Sequence, residues 1–252
     1  MQHESYEQMN AEASNWLKVG RGRLLRVLLD QHAPAAGGLR ILEIGAGVGQ
    51  NVPVLREFGE VDVLEINPLG LAALRELDGI RQVFDVPVPS VIEGGYDVVV
   101  AFDVLEHLAD DREASAWVAS LLVDGGVFVA TVPAYQWLFS DHDRVLEHYR
   151  RYTRRSLVAS LPPDLPVARA GYFVSLLLPL AVSVRLAGRL AQRLRGQGTR
   201  TEHGTSRKQS AVLPRPADAL FLAELTGEVG AIRRGFRFPF GLSVFVVARK
   251  SR

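Results

Sequence analysis

Cysteine is absent from the 252 residues, which excludes disulfides, thiolate metal ligands and a cysteine nucleophile together. Net charge is almost absent too: +1 at pH 7 gives no bulk attraction to nucleic acid, and no nucleic-acid partner is expected. Internal repeats are missing. The longest apolar stretch, within "YFVSLLLPLAVSVRLAGRLAQRLRG", has a core of about a dozen residues, too short to span a bilayer. The opening "MQHESYEQMN" lacks the apolar h-region of a cleaved export signal, so a cytoplasmic location is expected, and a reducing compartment suits a cysteine-free chain. With 48% hydrophobic residues at this length, the chain is expected to fold as one α/β domain over 1–252 with ample core.

Strand-like apolar runs recur at 39–44, 61–65, 81–84, 96–102, 126–132, 166–174 and 242–249. Helical periodicity fills most of the gaps, as at 67–77 and 112–122, and this alternation predicts a parallel sheet covered on both faces. Residues 12–30 read as one or two amphipathic helices inside an N-terminal cap, 1–38. The polar, aromatic-free stretch "GQGTRTEHGTSRKQSA" predicts a mobile loop over 196–212, ahead of a final strand within 240–250.

Residues 41–51 read "ILEIGAGVGQN", an apolar run that ends in an acid and then three glycines at alternate positions, Gly45, Gly47 and Gly49. Such a string after a strand marks a tight turn where bare backbone approaches a ligand, because glycine tolerates positive φ and has no Cβ to clash. The dinucleotide fingerprint G-x-G-x-x-G would put its third glycine at position 50, which is Gln, so a nicotinamide oxidoreductase is a distant third reading. Glu43 stands two residues before the first glycine, where a carboxylate would repel a pyrophosphate and suits a cation instead. S-adenosylmethionine joins an adenosine to a charged amino group and a sulfonium, and "LEIGAGVG" resembles the first motif of the class I methyltransferases that use it.

The resemblance covers residues 40–135. It implies a Rossmann-like, doubly wound seven-stranded sheet, mostly parallel with an antiparallel last strand and helices on both faces. The cofactor-binding core would be 39–135, with Gly45, Ala46, Gly47 and Gly49 along the ligand. An acid is expected roughly 20 residues beyond the first motif to accept the ribose hydroxyls, and Glu65 in "VDVLEINP" is there, followed by Ile66. Asp85 and Val86 of "RQVFDVPVP" occupy the place where these enzymes bind the adenine amino group. In "YDVVVAFDVLEHLADD", Asp103 ends the fourth strand, and "LEHL" implies the methionine side of the cofactor and the start of a substrate cleft. The Glu106–His107 pair recurs in the family across different substrates, which reads as a loop-orienting role at least as readily as a catalytic one. Glu106, His107, Asp110 and Asp111 form no familiar ligand set and methyl transfer needs no metal, so none is expected.

Residues 132–157, "VPAYQWLFSDHDRVLEHYRRYTRRSL", resemble the segment after the fifth strand in a bacterial small-molecule or lipid-type subset of the superfamily. Its "H-x-R-x-Y-T" pattern is His148, Arg150, Tyr152 and Thr153. The resemblance implies His148 and His142 as candidate general bases, with Trp16, Tyr135, Tyr152 and Arg150 bordering the acceptor. Thr153 also reads as the N-cap of a helix over 154–161. Five arginines between 144 and 155 suit an anionic acceptor, or equally a solvated helix face.

The remaining substrate-side half, 136–252, is expected to carry a helical insertion at 172–195. There Leu176, Leu177, Leu178 and Leu180 need a cover, and Arg185, Arg189 and Arg193 form a stripe beside Leu186, Leu190 and Leu194. A lid, a homodimer contact and a helix lying on an anionic membrane face all fit, the last giving access to a lipid-linked acceptor. Two function classes stand: a methyltransferase acting on an O, N or C atom of a small-molecule or lipid-linked acceptor, and a non-catalytic module that binds S-adenosylmethionine in the same fold.

Overall fold

The computed structural model describes residues 16–35, 37–179, 182–183 and 215–251. Seven strands, β1 (Leu39–Ile44), β2 (Gly59–Leu64), β3 (Ile80–Phe84), β4 (Tyr96–Phe102), β5 (Leu122–Pro133), β6 (Val167–Phe173) and β7 (Ser243–Arg249), form one sheet in the order β3-β2-β1-β4-β5-β7-β6. β1 pairs in parallel with both β2 and β4, while β7 runs antiparallel to β5 and β6. This is the Rossmann-like sheet with an antiparallel last strand that the motifs implied. The direction of winding reverses between β1 and β4, so the crevice outside their carboxyl ends is where such sheets place ligands.

Alternation in β1 sends Leu39 and Ile41 into one core layer and Leu42 and Ile44 into the other. The first layer is covered by α1 (Trp16–His32) and α7 (Arg215–Arg233), through Leu24, Leu25, Leu28, Leu225 and Val229. The second is covered by α4 (Asp111–Leu121) and α6 (Arg154–Ser160), through Ala114, Val118 and Leu157. Gly20 lets α1 and α7 touch closely, since a Cβ there would lie 2.4 Å from Leu225 Cδ1. Three short helices, α2 (Val52–Leu55), α3 (Pro68–Arg75) and α5 (Asp141–Val145), join the layers to the loops.

Two expectations about the C-terminal half need correction. Helix α7 lies where no helix was predicted; its buried Leu225, Val229 and Ile232 recur at steps of four and three, and flanking polar residues hide that short stripe. The helical insertion predicted from 172 begins late, because Tyr172 and Phe173 complete β6; among the described residues of that range, helical turns stand at 177–179 and 182–183. Leu178 is buried and Leu176 is exposed. Leu180, Leu186, Leu190, Leu194, the arginines at 185, 189 and 193, and the loop 196–212 lie outside the described residues. Among the described residues no helix is long and apolar enough to cross a membrane.

Candidate active site at the carboxyl edge of the sheet

The glycine loop leaves β1 with φ of 66°, 58° and 80° at Gly45, Gly47 and Gly49, the left-handed region that a side chain disfavours. At Gly45 a Cβ would also come within 2.6 Å of Val104 Cγ2, so the loop lies directly against the turn after β4. The amides of Gly45 and Ala46 donate to the Leu64 carbonyl, and the Gly47 amide donates to Glu65 Oε2 at 2.8 Å. Glu65 Oε1 accepts from Ile66 and Asn67 amides, each at 2.8 Å. Three backbone donors thus aim one nearly buried carboxylate at the mouth of the loop. Ile66 beside it is 62% exposed, an unusual position for a branched apolar side chain. Asp85 is exposed and only loosely paired with Arg75 at 3.9 Å, and Val86 packs on the second core layer.

Glu43 is 1% exposed. The Asn51 amide donates to its Oε1 at 2.7 Å, while Oε2 has no partner. Burial pushes its carboxyl up to about 7; the Asn51 hydrogen bond opposes that shift and the Glu65 charge adds to it. A buried carboxylate with an orphan oxygen, next to a loop of open backbone, is built to receive a cationic donor.

The turn after β4 is equally organised. Asp103, with φ of 54°, forms an ion pair with Arg21 of α1 and accepts from the Thr131 hydroxyl at 3.3 Å. Glu106 is fully buried, and neither carboxylate oxygen has a partner from another residue. Burial drives its carboxyl well above the usual range and the Asp103 charge reinforces this, against the nearby Arg21 and Arg151. His107 is pulled down to about 4, mainly by burial and then by the charge of His148, whose ring meets it edge-on at 4.5 Å.

His148 arrives from the loop that leaves β5 at Pro133 and returns to it. Ala134 and Tyr152 form a bridge, with the Tyr135 amide donating to the Tyr152 carbonyl at 2.7 Å and the Tyr152 amide to the Pro133 carbonyl at 2.9 Å. Inside this closed loop Ser140 and Asp143 make a capping box at the start of α5, and Asp143 is fully buried. Its carboxylate accepts from Arg151 Nε at 2.6 Å and bonds His148 Nδ1 at 3.0 Å. Burial opposes its ionisation, but Arg151, His148 and Ser140 together hold Asp143 well below the ordinary range. An ionised carboxylate can only accept, so Nδ1 of His148 is the donor in this contact.

The other predicted residues divide. Glu43, Gly45, Ala46, Gly47, Gly49, Glu65, Ile66 and Asp103 gather at the carboxyl ends of β1, β2 and β4, with Asp85 and Val86 following β3. Tyr135 stacks between Trp137 at 5.6 Å and Tyr172 at 5.5 Å, a short aromatic ledge. Tyr152 departs from its expected place in a cleft: it is 2% exposed, and its hydroxyl donates to Asp111 at 2.8 Å. Arg150 is likewise a strut, pairing with Asp111 at 3.0 Å and the Ala109 carbonyl. Trp16 packs on Phe221 at 5.3 Å in the α1/α7 layer, whereas Tyr135 and Tyr152 belong to the opposite one. His142 is exposed on α5, on the side away from its buried neighbour Asp143. The metal set weighed from sequence also dissolves, because Asp110 caps α4 and Asp111 binds Arg150 and Tyr152.

Arg21, Asn51, Asp143 and Arg151 escaped the sequence reading. Only Asp143 left a signal there, the S-x-x-D spacing from Ser140 that marks a helix start.

The sheet is open and reverses its winding, with two acids and a glycine loop at its carboxyl edge. Residues 16–163 match the methyltransferase domain family, and the chain belongs to that family. It is an S-adenosylmethionine-dependent methyltransferase by that membership. No curated protein matches the sequence. Among solved structures, a chain of the complex between the Haloferax volcanii Trm112 methyltransferase activator and a methyltransferase is 14% identical, with a TM-score of 0.59 over 98% of this chain and 93% of that one. The plantazolicin methyltransferase BpumL, solved with SAH, is 11% identical with a TM-score of 0.59, covering 98% and 89%. The [4+2]-cyclase SpnF is 17% identical with a TM-score of 0.55, covering 91% and 80%. At such identities the likeness is one of fold.

Proposed function

We propose that the protein transfers a methyl group to an O, N or C atom of a small-molecule or lipid-linked acceptor. The orphan Oε2 of buried Glu43 carries this reading, since it is the partner that the ligand's cationic amino group requires. Glu65, pre-aimed by three amides, would accept the ribose hydroxyls, and Asp85 with exposed Ile66 would flank the adenine. The cofactor supplies a methyl carbon on a sulfonium, transferred by in-line displacement and leaving a neutral thioether. The chain's own task is alignment and exclusion of water.

On the acceptor side His148 takes precedence over His142. Its ring is nearly buried and Asp143 holds it through Nδ1, so Nε2 is the ring nitrogen left to serve the acceptor. Tyr135 and Trp137 offer aromatic surface nearby. The rival reading, a module that binds the cofactor without turnover, predicts the same acids at 43 and 65. Turnover separates them: purified protein, methyl-labelled S-adenosylmethionine and fractionated cell extract should yield label, counted separately in lipid and aqueous phases. Cofactor binding without label in either phase would favour the rival, and no cofactor binding in calorimetry would defeat both.

A further inference from the structure

Three side chains that the mechanism above leaves without a common purpose converge beside the cofactor edge. Glu106, His107 and His148 each present a potential ligand atom, and those atoms all lie within 4.8 Å of one another. Glu106 and His107 are adjacent in sequence, but His148 comes from the far side of the loop after β5, so no spacing in the chain announces the group. We infer that these residues hold a divalent transition-metal ion of the zinc class, with open positions for an oxygen of the acceptor.

Two independent features support the assignment. First, both oxygens of Glu106 lie fully buried without a partner from another residue, a costly arrangement for a carboxylate that has nothing to bind. Second, each imidazole is already oriented from behind. Asp143 takes the Nδ1 proton of His148, and the backbone of Leu146 hydrogen-bonds the His107 ring, the outer-shell pattern that metal-bound histidines use to fix their tautomer. Two histidines and one glutamate match a catalytic zinc set, which keeps a further position open. Ligand atoms around such an ion stand about 3–3.5 Å apart, so modest side-chain rotation closes the group.

The consequence depends on the methyltransferase reading. An acceptor hydroxyl bound to the ion loses its proton to solvent at lower pH than a free one; its oxygen then forms the new C–O bond as the S–CH3 bond breaks. His148 would then act as a ligand, so no free base is needed. The inference therefore favours an oxygen acceptor.

The test reads the metal directly, without the reaction. The full-length chain, stripped by chelator, would be titrated with Co2+, followed by its visible spectrum, and then with Zn2+ as competitor. One equivalent should bind, with a spectrum of nitrogen and oxygen ligation that Zn2+ erases. His148→Ala and Glu106→Gln should each weaken binding at least tenfold, and Asp143→Asn by about tenfold or more. Because Glu106→Gln and Asp143→Asn alter buried groups, His107→Ala serves as a further variant, and S-adenosylmethionine binding by calorimetry verifies each fold. Wild type that binds cofactor but no Co2+ at millimolar concentration overturns the metal site and leaves the methyltransferase reading standing. Binding that is undiminished in all four variants places the ion elsewhere and also overturns it. Wild type that binds Co2+ at these residues but no cofactor upholds the site while removing the function proposed for it.

Discussion

Arg21 reaches from the N-terminal helix to form an ion pair with Asp103, the left-handed residue that directly follows β4. The contact fastens α1 across the mouth of the site, and both side chains are about three-quarters shielded. Partly exposed pairs contribute modestly, so Arg21→Ala should cost about 1 kcal/mol or less in urea unfolding. Its larger effect should be on the cofactor: the affinity for S-adenosylmethionine should fall several-fold. Unchanged affinity would remove Asp103 from the cofactor site.

The role proposed for Glu43 predicts that cofactor binding depends on pH. Its carboxyl, raised to about 7 by burial, is partly protonated at neutral pH, whereas a bound cation requires it ionised. Affinity should therefore rise as pH increases through 7 and level off above it, with about half a proton released on binding at pH 7. Calorimetry in buffers of different ionisation enthalpy measures that proton. The stability of the unliganded protein should move the opposite way: a raised carboxyl pKa favours the folded state at low pH, and this advantage declines from about pH 4.5 to 7. Glu43→Gln should flatten both profiles. A proton count of zero in the wild type contradicts the role given to Glu43.

Glu65 supports the loop, because it accepts from the amides of Gly47, Ile66 and Asn67, and its proposed ribose contact adds a second role. Glu65→Ala should weaken S-adenosylmethionine binding roughly tenfold or more and also lower the melting temperature. Glu65→Gln keeps the shape and part of the acceptor capacity, so it should lose less of each. If Glu65→Ala lowers only the melting temperature, its contact with the ribose is disproved.

Gly45 combines positive φ with a close approach to Val104. Gly45→Ala should destabilise by about 1–2 kcal/mol from backbone strain, with the side-chain clash added. Gly37, which has nothing within 4 Å of a Cβ and ordinary φ, is the matched control, and Gly37→Ala should be neutral or slightly stabilising. Equal melting shifts for the two would show that the glycine loop tolerates a side chain.

The fold was legible wherever local chemistry decides it. The six residues of β1 and the seven of β4 fall at the expected bounds, since continuous apolar runs between turn residues admit little else. Thr153 caps α6 as its side chain and spacing require. Glu43, Glu65 and Asp85, the acids proposed to meet the cofactor, stand out in the sequence because each lies at or just beyond the carboxyl end of a strand. The acceptor side was not, since its geometry depends on a long return of the chain. Arg150 and Tyr152 looked like ligand contacts because polar residues in a loop usually meet solvent or substrate, yet they meet Asp111. Asp143 and Glu106 gave no sign of burial, because nothing in a sequence tells a solvated acid from one enclosed by a loop that closes further along the chain.

The closure of residues 134–152 onto the end of β5 has a bearing on how tightly an acceptor is held. A loop tied at both ends by backbone hydrogen bonds, with its polar interior satisfied by Asp143 and Arg151, is ordered before any partner arrives. Association then forfeits little chain freedom, so even a small acceptor with few groups to recognise can be bound selectively. Rigidity of this kind also separates two evolutionary tasks. Side chains on the outer surface of the loop, such as the exposed Trp137 and Tyr149, are free to diverge toward new acceptors while the buried scaffold beneath them stays the same.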